Sequence, residues 1–398
     1  MIDKILRAAV ERGASDLHVK AGDVIRARID GRLVPLTRQP LGAEQTRAVA
    51  LGLVATEADR ARIDALTDYD ASYEIAGVGR FRVNVLRQRG AFSVVVRAIP
   101  ADVPTLERLG LPPVVARIAE AERGMVLVTG VTGSGKSSTL AAMIRHVNGR
   151  SEKHILTLEN PVEFLHTDLK SSVTQREVGV DTDSFRSGLR AALRQDPDVI
   201  LIGEMRDMET VDTAMKAAET GHLLLSTLHT PDAQSTILRT VAMFPPTEQR
   251  VVRLRLAESL HAVISQRLLP RASGSGRVVA AEVMLVTEAM RDLIAEGRVS
   301  EMRDFIADGR QQYGMQTFDQ HLGDHVRSGA VAYEAALAAA TRPADFALQF
   351  RMLHAAGPAA PLPPALAGVG AGAGTGAGTG EGGGGLPMGG GFDFLQPS

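Results

Sequence analysis

Residues 130–137 read Gly-Val-Thr-Gly-Ser-Gly-Lys-Ser and directly follow the apolar run Met125-Val126-Leu127-Val128. A strand, a glycine-rich turn, a lysine, a hydroxyl and a helix start occur in the order that a phosphate-binding loop requires. Glycine lets backbone N–H groups close around a phosphate, and the following helix N-terminus adds partial positive charge there. Gly130, Thr132, Gly133, Ser134, Gly135, Lys136, Ser137 and Ser138 are the candidate nucleotide-binding residues. Lys136 is placed to reach the β- and γ-phosphates of ATP, and the Ser137 hydroxyl to hold Mg²⁺. Such a loop demands an α/β sheet behind it, which constrains the fold more than any other feature of the chain.

At 398 residues the chain exceeds what one core ordinarily serves, so about two or three domains are expected. The absence of cysteine excludes disulfides, thiolate catalysis and cysteine-based zinc sites. A net charge of −2, 4% aromatic residues and no Trp argue against a nucleic-acid surface or a base-stacking platform. Met1-Ile2-Asp3-Lys4 lacks the pattern of a secretory leader, and no apolar run approaches the roughly 18 residues of a membrane span. A cytoplasmic protein without a direct membrane span is expected.

Residues 1–100 read as a small α+β domain. Ile5, Leu6, Ala9 and Val10 share a helical face, and Asp16-Leu17-His18-Val19 and Ile25-Arg26-Ala27-Arg28-Ile29 alternate like strands. Asp30-Gly31 marks a hairpin turn, residues 44–53 read as a helix, and 81–85 and 92–96 as strands paired around Arg89-Gly90. Residues 101–112 read as a linker. Residues 113–280 alternate strands and helices, with the clearest strands at 125–129, 154–158, 199–202 and 222–226, the pattern of a parallel sheet. Residues 281–356 read as mostly helical. The Gly/Pro-rich tail, 357–398, lacks the apolar surface to offset its ordering entropy and is expected to be disordered; Phe392-Asp393-Phe394-Leu395 near its end reads as inert.

Asp196-Pro197-Asp198-Val199-Ile200-Leu201-Ile202-Gly203-Glu204 resembles a Walker B element, an apolar strand carrying a carboxylate to its C-terminal end. Gly203 stands where a second acidic residue is usual, so Glu204 is the candidate that holds Mg²⁺ through water or orients the attacking water. Glu159 and Glu163 follow another strand. Hydrolysis needs a group that positions water, and Glu163 is the first choice for it, Glu159 the second. His222 and His229 flank the apolar run 223–228 and are candidate γ-phosphate sensors. Zinc lacks a third ligand there. Arg82 and Arg97, taken alone, read as exposed strand charges.

Together these motifs resemble the secretion and type IV pilus ATPases, specifically the twitching-motility, PilT-like retraction group, over roughly residues 1–355. The resemblance rests on Ala14-Ser15-Asp16-Leu17-His18, Arg28-Ile29-Asp30-Gly31-Arg32-Leu33, Gly79-Arg80-Phe81-Arg82-Val83-Asn84 and Gln88-Arg89-Gly90 in the N-terminal part. Residues 158–164 are similar to the group's aspartate box, Gly203-Glu204-Met205-Arg206-Asp207 to its Walker B end, and 220–230 to its histidine box. It implies a PAS-like α+β N-terminal domain on a RecA-like P-loop core, a homo-hexameric ring and ATP between the two domains. It also implies that Arg82 and Arg97 reach the nucleotide, that hydrolysis moves the domains, and that the motor acts on an inner-membrane platform protein at the pilus base. An accessory retraction ATPase fits equally well. Assembly and secretion relatives typically carry a four-cysteine zinc module that this chain lacks. The chain departs from the group at Asn160, where aspartate is usual, at Pro231-Asp232 and Ala242, and at Asp292 and Ala295 in the C-terminal motif of residues 289–296. Asn160 also keeps a nucleotide-gated scaffold without useful turnover in view.

Overall fold

The computed structural model describes residues 2–355, apart from Asp30, Ala55, Pro100 and Ala101. The tail and its Phe392-Asp393-Phe394-Leu395 motif lie outside the described residues.

In the N-terminal part, β1 (Asp16–Lys20), β2 (Arg26–Ile29), β3 (Arg32–Pro35), β4 (Asp68–Ile75), β5 (Gly79–Gln88) and β6 (Ala91–Ala98) form an antiparallel sheet. Its order is β3-β2-β1-β6-β5-β4. Side chains alternate across a strand, so Leu17, Val19, Ala27, Phe81, Val83, Val85, Val94 and Val96 all reach one face and are buried. Two helices cover that face. Ile2, Leu6 and Ala9 come from Ile2–Glu11, and Val49, Ala50 and Leu53 from Ala43–Leu53. The opposite face is polar. Arg28, Asp16, Arg97, Arg82 and Ser72 fall in one register row across β2-β1-β6-β5-β4. Arg89 and Gly90 form the two-residue turn between β5 and β6, both at positive φ, as a tight twisted hairpin requires.

The second sheet contains β7 (Gly124–Thr129), β8 (His154–Glu159), β9 (Ser172–Glu177), β10 (Val199–Ile202), β11 (Leu223–Leu228), β12 (Leu260–Pro270) and β13 (Arg277–Leu285). Its order is β13-β12-β7-β11-β10-β8-β9, parallel except for β13 on β12. Every residue of β10 and β11 is buried, which explains their unbroken apolar runs. Alternation divides the strands between two cores. Met125, Leu127, Ile200, Ile202 and Leu224 face the helices Met208–Glu219, Ala233–Ala242 and Gln249–Ser259. Val126, Val128, Val199, Leu201 and Leu225 face Lys136–Arg150 and Val114–Ala119. Fully burying a side chain of this kind stabilises by about 1.5–3 kcal/mol before entropy is counted.

Several expectations change. The strand expected at 222–226 runs Leu223–Leu228, so His222 precedes it. The boundary expected at residue 280 falls inside β13, because the sheet takes one more antiparallel strand before the helices begin. The segment expected as a linker packs tightly: Leu106 and Leu111 are buried in the second core.

β13 is an edge strand, and its free backbone groups are met by Gln316 and by two histidines of the helix Phe318–Arg327. His321 Nδ1 accepts from the Ala281 N–H at 2.9 Å, and His325 Nε2 lies 2.8 Å from the Val279 carbonyl. Burial pushes the His321 pKa from 6.5 down to about 4, because protonating the ring would strand a charge there and remove the acceptor. The unfolded chain therefore binds the proton first as pH falls. The contribution, on the order of 3 kcal/mol, is complete above about pH 6.5 and lost progressively toward about pH 4. Denaturant midpoints should fall across that window, and His321→Gln should flatten the fall.

Candidate nucleotide site

At the end of β7 the chain turns at Gly130, with φ +141°. A Cβ at that position would lie 2.5 Å from both the Gln266 carbonyl oxygen and Ser134 Oγ. The loop is thus pressed onto β12, whose Ser265 accepts from Thr129 Oγ1 at 2.9 Å. Gly133 and Gly135 also have positive φ, which curls the backbone around the loop's mouth. Lys136 opens the helix Lys136–Arg150, and its Nζ donates to the carbonyls of Gly130 and Val131 at 2.9 and 3.0 Å. Burial lowers the Lys136 pKa, while the charges of Glu204 and Glu163 raise it. Both carboxylates therefore act on the same ammonium group. Ser134 is buried, and its hydroxyl has no partner among the described residues.

The carboxylates come from adjacent strands. Glu204 follows β10, accepts from Arg206 Nε at 2.7 Å, and lies 3.9 Å from His229 Nε2. Burial and the nearby Lys136 charge push the His229 pKa below its ordinary value, against the pull of Glu204. Glu159 ends β8. It accepts from Thr157 Oγ1 at 2.7 Å and Gln175 Nε2 at 3.1 Å, with the Glu163 N–H at 3.5 Å from its other oxygen. Burial raises the Glu159 pKa. Its oxygens are engaged with the protein, whereas Glu163 is exposed toward the cavity.

A cavity of about 620 Å³, within the usual range for small-molecule sites, gathers these groups. Thr132, Gly133, Gly135, Lys136, Ser137 and Ser138 line one side. Glu159, Asn160, Glu163, Glu204 and His229 line another, and Arg82 and Arg97 reach it from the small sheet. Those two arginines face each other in register on β5 and β6, an arrangement that like charges disfavour. Arg97 Nε donates to Asp16 at 2.8 Å, and Arg82 lies 3.9 Å from Asp70. Burial raises the Asp16 pKa, but hydrogen bonds from Arg97 and Ser15 outweigh it and hold the carboxyl below its ordinary value. Both guanidiniums remain substantially exposed.

His222 is a correction. It sits just before β11, its carbonyl accepting from the N–H of Gly124 at the start of β7, and its Nδ1 lies 2.9 Å from the Ala217 carbonyl. Parallel strands carry it to the edge opposite the phosphate loop, where it meets the end of the helix Met208–Glu219. It does not line the cavity. Sequence reading also passed over residues that the fold supplies. Thr227 lines the cavity and donates to the Gly203 carbonyl at 2.7 Å. Arg206 lies in a motif already singled out. Leu268 and Arg277 reach the cavity from β12 and β13, outside every motif of the sequence.

A parallel sheet with this loop at its C-terminal edge and carboxylates on the neighbouring strands defines a P-loop ATPase. The family model described as "Type II/IV secretion system protein" matches residues 1–275, and the chain belongs to that family. It is 45% identical over 345 residues to the "Type IV pilus retractation ATPase PilT" of Pseudomonas aeruginosa, covering 87% of this chain and 99% of that protein. It is 42% identical over 352 residues to the "Type IV pilus ATPase PilU" of the same organism, covering 88% and 91%. A solved structure titled "Crystal Structure of the Pilus Retraction Motor PilT and Bound ADP" superposes with a TM-score of 0.80 at 42% identity, covering 86% of this chain and 97% of that one. No helix among the described residues is long and apolar enough to cross a membrane.

The two glycines make a graded prediction. Gly130→Ala drives a Cβ into backbone and should abolish nucleotide binding. Gly133→Ala meets open space and carries only the left-handed backbone cost of about 1–2 kcal/mol. Titration with a fluorescent ATP analogue should show Gly133→Ala weakened by no more than about 30-fold, and Gly130→Ala far more.

Proposed function

We propose that the chain is the ATP-hydrolysing motor of type IV pilus retraction, and so of twitching motility. It works as a homo-hexameric cytoplasmic ring recruited by an inner-membrane platform protein at the pilus base. The observation that carries this reading is the shared cavity: the phosphate loop, two strand-end carboxylates and two arginines of the small sheet converge on it. The similarity to PilT and to a PilT structure with bound ADP supplies the direction of the motor and the nucleotide.

In this reading the loop's N–H groups and Lys136 hold the phosphates, and Arg82 and Arg97 add guanidinium donors that can grip phosphate oxygens in pairs. Glu163 positions the attacking water, while Glu159 anchors the Glu163 backbone. His229 responds to the γ-phosphate through Glu204. His222 takes no part. The residues fit Mg²⁺: the Ser137 hydroxyl and the Glu204 carboxylate line the same cavity, and Mg²⁺ ordinarily takes one or two protein oxygens and fills its shell with phosphate and water. Ser137 would hold it directly and Glu204 through water, and it would neutralise charge on the phosphates. The comparable match to PilU favours a second reading, an accessory retraction ATPase working beside a principal one.

Two measurements test this. Glu163→Ala and Glu204→Ala should each lower turnover by about 10²-fold or more with ATP binding nearly unchanged; unchanged turnover contradicts their roles. A strain lacking the gene, or carrying Lys136→Ala, should show excess surface pili and lost twitching. Few or no pili would instead mean assembly, and parental counts with parental twitching would remove the principal retraction role.

A further inference from the structure

Glu177 lies outside the cavity and outside every motif singled out above. It ends β9, the edge strand beside β8, in register with Glu159. It is 4% exposed, so its carboxylate requires donors. Three segments distant in sequence supply them. Ser72 Oγ lies 2.7 and 2.8 Å from its two oxygens, and Arg80 donates at 2.5 Å. The Val162 N–H donates at 3.1 Å. Ser72 and Arg80 belong to the small sheet; Val162 precedes Glu163.

We propose that Glu177 is a positioning residue that couples the small sheet to the loop carrying Glu163. This rests on the reading of Glu163 as the group that positions water. Arg80 and Arg82 share one face of β5, and Ser72 stands opposite Arg82 in register on β4. The strand that presents a cation to the cavity therefore also grips Glu177. A shift of that sheet by more than a hydrogen-bond length leaves a buried carboxylate without its cation. The carboxylate must then follow the sheet, drawing on the Val162 N–H, or give up its pairing. Either way the backbone next to Glu163 feels where the small sheet sits. The next amide along, the Glu163 N–H, lies 3.5 Å from Glu159 of the core, so two consecutive backbone groups face one carboxylate held within the core and one tied to the small sheet.

The test uses the full chain and five variants: Glu177→Gln, Arg80→Gln, Ser72→Ala, the double variant Arg80→Gln/Glu177→Gln, and Glu163→Gln. The readouts are kcat, KM for ATP, affinity for a fluorescent ATP analogue and the thermal midpoint. Glu177→Gln should lower kcat about tenfold or more through misplacement of the loop, with KM and affinity within about twofold. Arg80→Gln should act the same way, and the double variant should be no worse than Glu177→Gln alone. Parental kcat in folded Glu177→Gln and Arg80→Gln overturns the coupling, as does a loss confined to KM and affinity. If Glu177→Gln does not fold, Arg80→Gln and Ser72→Ala decide from the sheet side. Glu163→Gln separates the two failures. If it is inactive while Glu177→Gln is active, the coupling alone falls; if it is fully active, the reading of Glu163 falls.

Discussion

Four parallel strands, β7, β11, β10 and β8, lie side by side and end on the same edge of the sheet. That shared direction governs the site. The phosphate loop leaves β7, His229 leaves β11, Gly203-Glu204 leaves β10 and Glu159 ends β8. Residues spread over a hundred positions arrive in one row because parallel pairing requires crossovers and the crossovers are helices. The buried, two-faced apolar strands hold the row rigid, so the loops can be polar and strained without losing their places. At Gly130 row and scaffold touch closely, since even a methyl group there would strike the β12 backbone.

The second constraint is electrostatic. The small sheet turns a polar face, with Arg82 and Arg97 in register, toward a cavity whose other wall carries Lys136. Bringing these cations together is unfavourable unless anions answer them. Asp16 and Asp70 answer in part on the small sheet, and Glu204 and Glu163 on the core. A polyphosphate would answer all three cations at once. A nucleotide bound there would favour the arrangement in which both sheets face it, and its hydrolysis would weaken that preference.

The phosphate loop and the carboxylates were legible because each is local: an apolar strand followed at once by the functional residue. The polar face of the small sheet was legible through strict alternation in residues 81–85. His222 misled because a histidine at either end of an apolar run looks alike in one dimension. At about 3.3 Å per residue, six strand residues separate the two ends by roughly 20 Å, and only the strand's direction tells which end meets the ligand. β12 was hidden because polar Ser265, Gln266 and Arg267 interrupt its apolar pattern, and nothing local marks Leu268 or Arg277 as facing a ligand. Glu177 was beyond reach for a different reason. Its donors lie 105, 97 and 15 residues away, and no spacing rule joins them.

The central claim is that the nucleotide site is built from both sheets, and removing the small sheet's charge tests it most directly. Steady-state hydrolysis by Arg97→Ala and Arg82→Ala should show kcat/KM for ATP reduced about tenfold or more, a loss of at least roughly 1.4 kcal/mol of transition-state stabilisation. The thermal midpoint should stay close to the parent's in Arg82→Ala, whose partner Asp70 is exposed, and fall in Arg97→Ala, which takes a donor from the buried Asp16 carboxylate. Parental kcat/KM in both variants would mean that the core binds and hydrolyses ATP alone, and would contradict the account.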